Sequence, residues 1–274
     1  MRKDEQATYL YFYNYMYGNT EAYSGDVWVE GCFEPYVLDT WIGNVNAVEA
    51  YEIADGRTKI HLDLVPGDVA VFIMAPSEVE AFEVAAENKE TEEIILTGWD
   101  LKVDSFTPGE PVTRTETTEE TGVETTEVTY TTNHETLEAG VLDELVSWKD
   151  IPAIGDTVSG IGTYSTVFSL PEEWDGIEKV SFTADSFQLG TAALWVNGEK
   201  VPINMDGKKA DITAYVKPGE NTIEVRVTSS LRNIMRKVGY DRGWVNEMFG
   251  LTEVPEAADY GMTGEAKITV EFLQ

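Results

Sequence analysis

Residues 194–227, LWVNGEKVPINMDGKKADITAYVKPGENTIEVRV, decide the fold class. Asn197-Gly198 supplies the two positive-φ positions of a type I′ turn between apolar LWV and VPI, which predicts a tight hairpin. Asp206-Gly207 marks a second turn, Asp211 is placed to cap the short DITAYV segment, and Pro218-Gly219 closes it before the last strand. In that strand Ile223, Val225 and Val227 alternate with Thr222, Glu224 and Arg226, so one face is buried and the other wet. The stretch belongs to an antiparallel sheet. Its Asn, Gly, Asp and Pro are explained by turns and caps, and on that ground it identifies a fold without carrying chemistry.

Working outward, the same grammar recurs. In VEAYEIADGRTKIHLDLVPGDVAVFIMAP (48–76), strands at 48–53, 58–64 and 69–74 are separated by Asp55-Gly56 and Pro66-Gly67, which predicts successive hairpins. TYLYFYNYM (8–16) has no polar face, as in a strand covered on both sides or lying at an interdomain contact. Further strands are predicted at 94–103, 163–170, 179–185, 191–198 and 267–273. Short strands at this spacing argue for an all-β chain of two β-sandwich domains. The first, immunoglobulin-like or related, is placed at 5–88, and the second, a jelly roll, at 93–274. PVTRTETTEETGVETTEVTYTTN (111–133) is an insert of Thr and Glu, for which a solvated disordered segment and an exposed two-stranded arm stand equal. LEAGVLDELVSW (137–148) has the apolar spacing of a short helix, weakened by Gly140.

WVNG, DIT and KPGENTIEVRV together resemble the galactose-binding-like jelly roll of family 2 glycoside hydrolases. The order SGIGTYSTVFSLP (159–171), this core, SLRN (230–233) and DYGMTG (259–264) is more similar still to the C-terminal β-sandwich region of family 106, α-L-rhamnosidase-type proteins. The resemblance covers about residues 94–274, and EPYVLDTWIGNV (34–45) extends it upstream. It implies a non-catalytic part of a bacterial glycoside hydrolase, extracellular or at the cell surface, in which such modules brace the catalytic barrel and can bind glycan. The implied partners are a plant-type or other complex glycan and the catalytic domain of the same parent polypeptide. Two alternatives stand beside it: a purely structural interdomain module, and a freestanding glycosidase with an unrecognised site.

The balance of charge bears on partners. With 19 Lys and Arg against 50 Asp and Glu, the net charge is −31. Such a surface repels phosphate backbones and anionic membranes, which argues against nucleic acid, while it suits solubility and neutral glycans. Cys32 is the single cysteine, so no internal disulfide forms. No run of about 18 apolar residues predicts membrane insertion. The Tyr-rich start reads as a piece cut from a longer polypeptide, with any export signal outside it.

Catalysis finds little support. A glycosidase needs two carboxylates at set separation, and barrel enzymes carry them at strand ends in α/β repeats, a pattern missing from this sequence. No nucleophile elbow, P-loop or GxGxxG occurs, and His61 and His134 lack partners at zinc-ligand spacing. No catalytic residue or cofactor is therefore expected. A structural calcium around Asp206 and Asp211 is compatible with the fold but has no EF-hand-like spacing behind it.

Sugar binding calls for aromatic rings beneath C–H faces and polar groups for hydroxyls, usually on loops. LRNIMRKVGYDRGWVNEMFG (231–250) combines Trp244 and Tyr240 with Arg232, Asn233 and Arg242, in a span dense in cations for so acidic a chain. The expectation is a locally positive aromatic patch there, suited to a uronate held by Arg. The competing reading pairs these arginines with neighbouring carboxylates, or turns them towards a catalytic domain, while Trp244 fills core. Asp185 and Gln188, in the loop SFTADSFQLG (181–190), are expected near the same rim, and Trp174 in PEEWDG (171–176) as a second contact. Trp195 and Trp99, both in or at strands, read as core or sheet surface.

Overall fold

The structure is a computed structural model that describes residues 1–274 apart from 5–6, 16–20, 65, 85–89, 118–121, 123, 173–175, 206–207, 242–254 and 273–274; at 84, 130, 237 and 239–241 it describes backbone alone. The protein is all-β, and its strands pair antiparallel, as Gly160–Leu170 with Gly219–Thr228, Ile177–Ser186 with Thr263–Phe272, Thr8–Tyr13 with Val69–Pro76 and Tyr23–Glu30 with Arg57–Leu64. Two compact units divide it, Met1–Glu90 and Thr91–Gln274. No helix among the described residues is long and apolar enough to cross a membrane.

The first unit contains β1 (Arg2–Lys3), β2 (Thr8–Tyr13), β3 (Tyr23–Glu30), β4 (Phe33–Leu38), β5 (Val45–Ala47), β6 (Tyr51–Ala54), β7 (Arg57–Leu64), β8 (Val69–Pro76) and β9 (Phe82–Val84). They form two sheets, β1-β2-β8-β4-β5 and β3-β7-β6-β9. Leu10, Phe72 and Met74 of one sheet meet Ile60 and Leu62 of the other in a small core. Asp55-Gly56, with φ of 51° and 72°, joins β6 to β7 as a tight hairpin. The Pro66-Gly67 turn does something else: β7 and β8 lie in different sheets, so the chain crosses the sandwich instead of folding back. The 8–16 segment is likewise not covered on both faces. Thr8 and Leu10 are buried while Tyr11 and Tyr13 are exposed, because tyrosine reads as apolar in a pattern yet tolerates water at its hydroxyl end.

The second unit contains β10 (Glu90–Ile95), β11 (Trp99–Thr117), β12 (Glu124–Leu142), β13 (Gly160–Leu170), β14 (Ile177–Ser186), β15 (Thr191–Val196), β16 (Glu199–Val201), β17 (Lys209–Asp211), β18 (Gly219–Thr228) and β19 (Thr263–Phe272), and, among the described residues, the α-helix α1 (Arg232–Asp241). A four-stranded sheet, β10-β19-β14-β17, and a six-stranded sheet, β12-β11-β13-β18-β15-β16, make the two layers. Leu101, Tyr164, Leu194, Val225 and Val227 of the larger sheet and Val180, Phe182, Ile268 and Val270 of the smaller fill the space between. Trp148 is 1% exposed and seals one end: its Nε1–H donates to Tyr164 Oη at 2.7 Å, and Tyr164 Oη also accepts from the Met262 amide at 3.1 Å. Gly261, with φ of 99°, lets the chain pass this pair, since a Cβ there would stand 2.5 Å from both Trp148 Nε1 and Tyr164 Oη.

The 194–227 stretch folds as its turn residues dictate. Asn197 and Gly198 take φ of 50° and 83° between Val196 and Glu199. Asn197 does more than turn the chain. Its side chain accepts from the Thr222 amide and donates to Tyr215 O and to Asn221 Oδ1. Asn221, fully buried, also accepts from the Lys217 amide and donates to the carbonyls of Lys217 and Gly219. Two amides thus tie the hairpin to the Pro218-Gly219 turn. Asp211 accepts from the Thr213 amide at 3.0 Å beside the 3-10 turn Thr213–Tyr215, but the cap position itself is Ile212, one residue later than the sequence suggests.

One segment departs from expectation, and another is decided between two readings. Residues 137–148 are not a helix: β12 runs to Leu142 as the partner of β11, and the short 3-10 turn Trp148–Asp150 comes after it. A bulge places Gly140, φ 73°, opposite Leu101 and lets Ala139 slip from register, so Leu137, Val141 and Leu142 of the apparent helical stripe lie on an irregular strand and Leu145 and Trp148 follow it. The Thr/Glu insert forms the outer part of the β11–β12 ribbon, paired from Pro111↔Tyr130 to Thr117↔Glu124, which settles its two readings in favour of an arm. Long-range pairing supplies the ladder that local composition leaves open.

Candidate functional site

The residues predicted from sequence divide on inspection. The loop after Ser186 and the segment after Thr228 meet at one end of the sandwich, where Thr191 pairs with Thr228 and the Ser229 amide donates to Gly160 O. Much of that segment is α1 instead of a loop, its first turn anchored by Ser230 Oγ, which accepts from the Arg232 amide. Asn233 is 2% exposed and spends its amide on Ala258, donating to its carbonyl at 2.9 Å and accepting from its N–H at 2.8 Å. It braces the frame and is not available to a ligand. Arg236 donates to Asp156 and to the carbonyl of Pro255, as the carboxylate-pairing reading requires. Arg232 is exposed. Asp185 accepts from the Glu265 amide at 2.8 Å, and Gln188 Nε2 donates to Thr263 Oγ1 at 2.5 Å, so both also fasten the start of β19. Trp244 and Arg242 lie outside the described residues, and of Tyr240 only the backbone is described. Trp174 also lies outside them. The strands flanking it end at Leu170, opposite Gly219, and begin at Ile177, opposite Phe272. These are the ends remote from Gly160 and Ser186, an 11-residue strand away.

A depression that none of those residues lines lies on the outer face of the six-stranded sheet. The alternation that buries Leu194, Val196, Ile223 and Val225 turns Trp195, Thr222, Glu224 and Arg226 outward. Together with Ser165 and Val167 of β13, these residues line an open depression of about 530 Å³, with Gly198 of the hairpin turn at its edge. Register places them in rows across the strands. Asp100, Ser165, Glu224, Trp195 and Lys200 stand successively opposite one another on β11, β13, β18, β15 and β16. Lys102, Thr163, Arg226 and Ala193 form the adjacent row. The Arg226 guanidinium lies 4.4 Å from the Trp195 ring centre, with Lys200 Nζ at 5.9 Å. Arg226 Nε donates to Glu224 Oε1 at 2.8 Å. Stacking and pairing hold this trio in place, and the partly exposed indole forms an amphipathic surface among hydroxyls and charges.

A second aromatic face occurs on the first unit. Trp28, 42% exposed, carries Arg57 and Lys59 at 5.0 and 5.5 Å. Beside it, His61 Nδ1 is 2.7 Å from Asp26 Oδ1, while His61 Nε2 is 3.3 Å from Ser24 Oγ and 3.4 Å from Asp63 Oδ1. The connectivity is that of a Ser-His-Asp relay, but the chemistry is not. The hydrogen bond that His61 donates to Asp26, with Asp63 adding its charge, raises the His61 pKa, and Ser24 hydrogen-bonds Asp63, whose pKa is lowered in consequence. The shift favours the protonated imidazole, and that form has no lone pair to accept a serine proton. Among the described residues no three His, Cys, Asp or Glu side chains gather as a metal site. Asp206 lies outside those residues, and Asp211 is engaged by Thr213.

Neither a protein-family model nor a curated protein matches the sequence. Among solved structures, the chain is similar to a rhamnosidase from Novosphingobium sp. PP1Y, with a TM-score of 0.63 and 19% identity over 98% of this chain and 23% of that one. β-Glucuronidases from an uncultured Clostridium sp. and from Ruminococcus gnavus align with 69% of this chain and 30% of theirs, at 13% and 14% identity and TM-scores of 0.36 and 0.37. All three are glycoside hydrolases. The likeness to the rhamnosidase is one of fold, and this chain spans 23% of that protein's length.

Proposed function

We propose that this chain is a non-catalytic, carbohydrate-binding accessory region of a glycoside hydrolase resembling the α-L-rhamnosidases of family 106. Its second unit acts as a galactose-binding-like jelly roll, outside the cell or at a bacterial surface, on plant-type or other complex glycans. The observation that carries this reading is Trp195: a large aromatic on the outward side of a strand, in a depression lined also by Val167, by Ser165 and Thr222, and by a carboxylate–guanidinium pair. Sugars present an apolar C–H face and a rim of hydroxyls, and such a surface is complementary to both. The rhamnosidase-like fold supports the same setting.

A structural role without sugar affinity is the second reading, and the engagement of Asn233 and Arg236 in the frame favours it at the loop end of the sandwich. Calorimetric titration of the chain against plant and bacterial oligosaccharides separates the two. The expected result is saturable heat with at least one oligosaccharide, abolished in Trp195→Ala and retained in Arg232→Ala. The absence of heat with every oligosaccharide would leave the structural role.

A further inference from the structure

We infer that the Trp195 depression takes a neutral glycan, two adjacent hydroxyls of which are read by the Glu224–Arg226 pair, with the sugar chain running across the strands towards Ser165 and Asp100. This rests on the carbohydrate-binding reading and specifies its ligand.

Charge is the first argument. The chain as a whole has 19 basic against 50 acidic side chains. The two rows and their edge are balanced: Lys102, Lys200 and Arg226 stand beside Asp100, Glu138 and Glu224. The cations are engaged, Lys102 with Glu138 at 3.1 Å, Arg226 with Glu224 and the indole, and Lys200 over the same indole. A uronate on the Nη groups of Arg226 would set its carboxylate beside that of Glu224, and like charges repel. A neutral sugar meets no such repulsion. The local balance therefore selects against the acidic ligand that cation density in residues 232–242 suggests.

The pair's geometry is the second argument. Glu224 and Arg226 are two residues apart on β18 and share one face. Their mutual bond uses Arg226 Nε and Glu224 Oε1, leaving the Nη groups and Oε2 for a ligand. A carboxylate oxygen accepts from one hydroxyl and a guanidinium donates to its neighbour, so the pair suits a vicinal diol. Direction follows from register. Glu224 stands between Trp195 on one side and Ser165 on the other, and Asp100 is opposite Ser165. Three strand spacings separate Trp195 from Asp100, about 14 Å, room for more than one sugar ring along the row.

The test is calorimetric titration of the full chain with neutral oligosaccharides and with counterparts carrying a uronic acid, comparing wild type, Glu224→Gln and Arg226→Lys. Circular dichroism checks that each variant is folded. The inference predicts binding of a neutral oligosaccharide that is little affected by salt, weaker binding of its uronate counterpart, and a loss of about tenfold or more in affinity in each variant. Methylation of one of two adjacent hydroxyls on the ligand should cost as much as Glu224→Gln. Tightest binding of the uronate form, weakened by salt, overturns the inference and leaves the carbohydrate-binding reading intact. So does binding indifferent to both substitutions. Silence with every oligosaccharide removes both.

Discussion

Side chains at single positions in this protein carry more than one constraint. Asn197 is required by its turn, yet its amide also binds Thr222, Tyr215 and Asn221, and through Asn221 it secures the Pro218-Gly219 turn. The turn was readable from two adjacent letters, whereas the tie depends on residues 18 to 25 positions away. His61 shows the same on an exposed face. Its pKa is raised above the usual value, first by its hydrogen bond to Asp26; burial opposes this, and the charges of Asp63 and Asp26 add to the rise. A pKa raised on folding means that the protonated form is favoured in the native state. The interaction therefore stabilises fully below the unfolded value of about 6.5 and fades as pH rises through the folded value. NMR titration should place the His61 midpoint above about 6.5 and Asp26→Asn should lower it; a midpoint at or below that value would contradict the arrangement.

At the scale of elements, strands with one apolar face were legible because alternation of buried and exposed residues is local. Ile60, Leu62 and Leu64 on β7, and Ile223, Val225 and Val227 on β18, lie inward as their spacing implies. Elements fixed by partners were not. Residues 137–142 carry a helical apolar spacing but are held as a strand by β11, with Gly140 absorbing the bulge. The Pro66-Gly67 turn looks like a hairpin, and only pairing shows that the flanking strands enter different sheets. The β11–β12 ribbon gives a test. Pairing with β13 ends at Ser105↔Gly160, and Glu110–Thr117 is exposed residue by residue. Removing 109–131 and joining Pro108 to Thr132 through Asn-Gly should leave the melting temperature within about 4 °C of the parent and sugar binding unaltered. A larger fall would mean that the ribbon is part of the stabilising core.

In the whole molecule, the candidate site shows where sequence reading stops. The cation-rich stretch after Val227 drew attention through composition, but Asn233 and Arg236 serve the frame and Asp185 and Gln188 fasten β19. Trp195 lay inside the stretch that seemed to hold scaffold alone. Its signal was parity: a tryptophan between the inward Leu194 and Val196 must face outward. What made it a site, the row from Asp100 through Ser165 and Glu224, depends on the registers of four strands that are far apart in sequence. Acidic composition and balanced local charge then point to an uncharged ligand on an all-β, rhamnosidase-like scaffold.

The most direct measurement follows the indole N–H resonances of the chain's 7 tryptophans during titration with a neutral oligosaccharide. Trp195→Phe supplies the assignment. The account predicts that the Trp195 resonance shifts and saturates while those of buried Trp148 and of Trp28 on the first unit stay in place. A stationary Trp195 in the presence of a bound glycan would contradict it.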